Sequence, residues 1–150
     1  MRTLLAVLTL AGVLSLAGCN DSEDSDEPDL SGNPREQVVA VVAAMRQAMQ
    51  EGDGEEACSY MTPKGQRVMV KVALESGAGA PDTCEDAVVA VLSSATAAVR
   101  ENDAKNVVTA DEVALFENGS EAEAYSDYRG AMMLKLVDGQ WQVDVPFFSD

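Results

Sequence analysis

The apolar positions along the chain change their period twice, and the changes divide it into parts. Leu4 to Leu16 is apolar almost throughout, interrupted by Thr9 and Ser15. From Pro34 the apolar residues recur at helical spacing: Val38, Val41, Val42, Met45, Ala48 and Met49 share one face. Asn33-Pro34-Arg35-Glu36 reads as the start of that helix, with Asn33 as cap, Pro34 in the first position and Glu36 as the capping-box acid. Gly52 ends it. Asp53-Gly54-Glu55-Glu56 repeats the start signal and opens a short helix, Glu55 to Met61. Residues 64–76 fit two periods. Val68, Val70 and Val72 alternate like a strand, whereas Met69, Val72 and Ala73 suit a helix, which is the preferred reading. Asp82 or Thr83 caps a further helix predicted over Cys84 to Arg100, with Ala87, Val88, Val91, Leu92, Ala95 and Val99 as its stripe.

From Lys105 the period becomes two. Asn118-Gly119 and Asp138-Gly139 each favour a two-residue hairpin turn. The first pairs Leu115 with Ala122 and Val113 with Ala124; the second pairs Leu136 with Trp141, Leu134 with Val143, and Met132 with Val145. Each of these pairs is apolar, and Lys135, Gln142, Glu123 and Asp144 take the opposite side. Two independent turns that both yield an apolar face predict an antiparallel sheet buried on one side. Ser126-Asp127 supplies the turn between the hairpins. The fold class expected is α+β, with N-terminal helices packed on a four-stranded antiparallel meander.

The apolar run at the start is too short to span a bilayer, which takes about 20 apolar residues. It matches the central region of an export signal. Leu16-Ala17-Gly18-Cys19 resembles the lipobox of bacterial lipoproteins. That resemblance implies removal of residues 1–18 and a diacylglyceryl (palmitate-type) group on Cys19, which would hold the mature protein on the extracytoplasmic face of the cell membrane. Two acyl chains suit the task, because one chain alone binds membranes only marginally. The alternative is an ordinary secretory signal with Cys19 incidental. Residues 19–33 follow as a tether. Asp21, Glu23, Asp24, Asp26, Glu27 and Asp29 repel one another and offer little to bury. They lack the spacing of a calcium loop.

Charge and composition then narrow the function. The chain holds 26 acids and 10 bases, a net charge of −16. Such acidity disfavours nucleic acid, and disfavours a surface lying flat on anionic lipid. Histidine is absent, which removes the commonest general base and metal ligand. No cofactor or metal is expected. Beyond Cys19 there are two cysteines, Cys58 and Cys84, and in an exported protein an even pair reads as a disulfide. Two buried thiols or a redox pair are the alternatives, and no C-x-x-C spacing favours the latter.

Residues 34–150 are expected to form one domain, and about residues 34–148 also resemble a family. The stretches Gly52-Asp53-Gly54-Glu55-Glu56-Ala57-Cys58-Ser59-Tyr60-Met61 and Leu136-Val137-Asp138-Gly139-Gln140-Trp141-Gln142-Val143-Asp144, with a second cysteine opening a helix, are similar to small NTF2-like lipoproteins of actinobacteria, related to SnoaL-like domains. The resemblance implies an NTF2-like (cystatin-like) cone, often with a pocket between helices and sheet. Tyr60, Met61, Met132, Trp141 and Phe147 are the candidate pocket residues; as core they would simply fill the interior. Ketosteroid-isomerase-like relatives use an inward Asp, but the inward positions here carry no ionisable group. The expected role is a non-catalytic binding module for an apolar small ligand or a cell-envelope protein, with an NTF2-like enzyme as the alternative. The outer sheet face, with Ala114, Phe116, Met133, Lys135 and Val137, offers a surface for a homodimer.

Overall fold

A computed structural model describes residues 32–105, 107–126 and 130–146. Cys19, the export signal expected over residues 1–18, the acidic stretch up to Ser31, the turn expected at Asp127, and Phe147 and Phe148 lie outside the described residues. Among the described residues the architecture is α+β: five α-helices and a four-stranded antiparallel open sheet in the order β1-β2-β3-β4.

Helix α1 spans Pro34–Glu51. Its capping box forms as expected. Asn33 Oδ1 accepts from the Arg35 and Glu36 amides, and Glu36 Oε2 accepts from the Asn33 amide at 3.0 Å. Gly52 closes it in the left-handed region at φ 80. Helix α2 spans Gly54–Ser59 and is capped by Asp53. It is shorter than the reading of Glu55 to Met61. Met61 instead leaves the helix and forms a parallel bridge with Val143. Helix α3, Pro63–Glu75, settles the ambiguous stretch as helix. Its buried positions, Gly65, Met69 and Ala73, recur every four residues.

The helix expected over Cys84 to Arg100 is two helices. Helix α4 is Cys84–Ser94 and α5 is Ala97–Lys105. Between them Ala95 is extended, at ψ 134. The cause is local competition for backbone groups. Ser93 and Ser94 hydroxyls donate to the Val89 and Val91 carbonyls, and Thr96 Oγ1 accepts from the Val99 amide to start the next helix. The helical stretch therefore runs to Lys105, and a short 3-10 turn, Ala110–Glu112, precedes the sheet.

The strands are β1 Val113–Leu115, β2 Glu121–Ser126, β3 Gly130–Val137 and β4 Gln140–Val145. Pairing agrees with expectation at Val113 with Ala124, Leu115 with Ala122, Leu136 with Trp141 and Leu134 with Val143. It departs at the end of β4. A bulge shifts the register there, so Val145 faces Met133 and not Met132. The helices cover the inner face. Val38, Val41, Val42 and Met45 of α1 join Met69 of α3, Ala87 and Val88 of α4, and Val113, Ala124, Leu134 and Val143 of the sheet in one core. Leu136, expected inside, is 37 % exposed because it sits near the tip of its hairpin, at the rim of the core.

Candidate functional site

Two places in the fold bear on function: the apolar interior at the α2 end, and a buried carboxylate on β4. The first is built around sulfur. Cys58 on α2 and Cys84 at the start of α4 form a disulfide, with Cα atoms 6.2 Å apart. Both residues are buried. The close fit of α2 on α4 depends on Gly54, where an added Cβ would lie 2.5 Å from the Glu85 carbonyl oxygen. Met61 Sδ lies 3.9 Å from Cys84 Sγ. This is a packing contact, since a disulfide has no S–H to donate.

The candidate pocket residues are divided by the structure. Met61, Met132 and Trp141 are buried in the common core. Tyr60 packs against that core half-buried, and its hydroxyl donates to Glu56 Oε1 at 3.1 Å. Phe147 lies outside the described residues. A small hollow is lined by Ala44, Gln47, Ala48, Glu51 and Glu56. Its volume, about 10 Å³, is room for one water molecule.

The second place is Asp144. Strict alternation puts it on the solvent side of the sheet, but it is only 5 % exposed. Two features account for that. The bulge adds a residue to β4 at this point. The chain between α2 and α3 then runs along the edge of β4: the Val143 amide donates to the Tyr60 carbonyl at 2.8 Å, and the Thr62 amide donates to the Val143 carbonyl at 2.9 Å. Thr62 Oγ1 donates to Asp144 Oδ1 at 2.9 Å, while Lys64 Nζ donates to Oδ2 at 2.8 Å. Lys135 Nζ stands 3.5 Å from the same Oδ2 and 3.8 Å from Glu121. Burial pushes the Asp144 carboxyl up; the Lys64 and Thr62 hydrogen bonds and the nearby charges of Lys135 and Lys64 outweigh it and hold the group below its ordinary value. Asp144 is therefore a fixed anion whose two oxygens each accept a hydrogen bond. That suits a clamp between distant segments better than a proton acceptor.

This clamp was not among the expected site residues. The signal available was the run Val143-Asp144-Val145-Pro146, in which an acid is enclosed by apolar residues and a proline. The outer face carries one further pair: the Tyr125 phenol is raised by its hydrogen bond to Glu123 and by that carboxylate's charge. Tyr125 is half exposed. Among the described residues, no group of three or more His, Cys, Asp and Glu is arranged to hold a metal ion, and no helix is long and apolar enough to cross a membrane. No protein-family model, no curated protein and no solved structure matches this chain.

Proposed function

We propose that this chain is an acyl-anchored, extracytoplasmic domain of NTF2-like type. In this reading it works without catalysis, holding an apolar small molecule or an envelope protein near the membrane. The observation that carries the reading is a combination. A lipobox, Leu16-Ala17-Gly18-Cys19, precedes a domain whose helices α2 and α4 are joined by the Cys58–Cys84 disulfide. A disulfide of this kind suits an oxidising compartment, and the lipobox supplies the route there. The non-catalytic part is supported by the buried ionisable group. Asp144 is held ionised by Lys64 and Thr62, with both of its oxygens already accepting hydrogen bonds, not poised near neutrality.

Expression of the whole precursor in a bacterial host tests the anchor. Mature protein should fractionate with membranes and carry the mass of a diacylglyceryl group on Cys19, and Cys19→Ala should abolish both. An unmodified, freely secreted mature chain would reject the anchor. Native mass spectrometry of protein taken from its own envelope tests the role. A retained small molecule or a co-purified protein supports a binding module; turnover of the retained molecule would replace it with an enzyme.

A further inference from the structure

Helix α3 differs in charge from the rest of the protein. The mature chain has nine bases against 26 acids. Three of those bases, Lys64, Arg67 and Lys71, lie on α3, whose one acid is its last residue, Glu75. At helical spacing the three cations fall within an arc of roughly 60°. All three are exposed, on the side opposite the buried Gly65, Met69 and Ala73. Leu74, 59 % exposed, and Pro63, also exposed, flank the same arc.

Their ion pairs do not cancel this face. Lys71 pairs with Glu75 at 3.5 Å, but both side chains are more than 60 % exposed, and such pairs contribute little. Lys64 reaches Asp144 yet keeps 54 % of its side chain exposed. By contrast, the exposed residues in the first turn of α4 are Glu85 and Asp86, and those of α2 include Glu55.

We propose that the outer face of α3 docks on anionic phospholipid headgroups at the membrane surface. The proposal rests on the anchor reading above, which supplies the proximity. The 13 residues Asn20–Gly32 would separate the domain from Cys19. A chain of that length reaches at most about 45 Å, so the headgroup layer is the polyanion met at highest effective concentration. Screening limits electrostatic reach to about 8 Å at physiological salt, so acids farther than that from α3 do little to offset its cations. Leu74 beside the cations suits the boundary between headgroups and acyl chains. An acidic protein would meet the same cations but has no comparable proximity.

The test uses the mature chain with Cys19→Ser, produced in an oxidising compartment, so that α3 is read without the anchor. It is sedimented with vesicles of phosphatidylcholine alone or mixed with phosphatidylglycerol, at low and high salt. Binding should require phosphatidylglycerol and fall with salt. Arg67→Glu with Lys71→Glu should weaken it at least about 25-fold, at about five-fold per cation near an anionic surface. Arg35→Glu with Arg100→Glu makes the same change in net charge elsewhere and should leave most of the binding. Circular dichroism checks the fold, and Arg67→Gln with Lys71→Gln replaces the double reversal if that variant unfolds. Equal loss in both double variants, or no preference for phosphatidylglycerol, overturns the proposal. Binding to soluble polyglutamate without binding to vesicles also overturns it, in favour of an acidic protein. The two readings fail separately: acylated Cys19 with no phosphatidylglycerol preference rejects the α3 surface alone, while vesicle binding with unmodified Cys19 rejects the anchor alone.

Discussion

The two hairpins of the sheet end in related dipeptides and are held by different means. In β3–β4, Asp138 and Gly139 both have positive φ, 51 and 85, and form the tight two-residue turn. In β1–β2 only Gly119 does, at φ 66. The loop there is longer, closed by the Phe116 amide on the Glu121 carbonyl and the Gly119 amide on the Phe116 carbonyl. The register is nevertheless the one a two-residue turn would give, with Leu115 opposite Ala122. A second difference lies at the far end. The first hairpin is positioned by its apolar face. The second is also gripped from its edge by residues 60–65, through the Met61 bridge and the Thr62–Lys64–Asp144 cluster. Alternation suffices to register a hairpin packed on one face; a hairpin clamped at its edge needs partners some 80 positions away.

The largest expected effect breaks that grip sterically. A Cβ on Gly65 would collide with the Val143 carbonyl oxygen, which is backbone and cannot move aside. Gly65→Ala should therefore cost up to about 3 kcal/mol in denaturant unfolding. Next is Asp144→Ala, which leaves buried Thr62 without its acceptor and Lys64 without its partner. About 2 kcal/mol is expected. The same residue gives a pH signature. Its folded pKa lies below the unfolded one, so its contribution is complete above about pH 4 and fades as pH falls through the folded value. Asp144→Asn should flatten that acid limb; an unchanged limb would mean that the clamp does not stabilise the fold. The turns follow. Asp138→Ala places alanine at positive φ and should cost about 1 kcal/mol. Asn118→Ala loses an exposed acceptor of the Ser120 amide and an exposed, long donor contact to Glu121, and should cost a few tenths of a kcal/mol. Equal costs at 118 and 138 would erase the distinction between the two turns.

Legibility follows the same division. Features set by neighbours in sequence could be read directly: the Asn33 capping box, the Gly52 stop, the preference for helix over 64–76, and the register of both hairpins as far as Leu134. The Cys58–Cys84 pair was readable because only two cysteines remain after Cys19. The break at Ala95 was hidden by an apolar stripe that continues in phase through Val99, so periodicity alone did not reveal two helices. The bulge at Asp144 depends on Thr62 and Lys64, and no local pattern links positions 62 and 144. Of the candidate pocket residues, Met61, Met132 and Trp141 lie in the buried core. The one buried carboxylate among the described residues was assigned to solvent, because a period of two cannot register an extra residue.

Gly65 and the bridge at Met61 have a consequence for self-association. They seat one segment along β4 and the start of α3 against its backbone, so the Val143 amide and carbonyl on that margin are engaged. The opposite margin is β1, only three residues long. Open strands recruit further strands, and proteins suppress this by covering an edge or shortening it. This molecule uses one method on each side: the segment bonded to Val143 covers part of β4, and the other edge is only the stub from Val113 to Leu115.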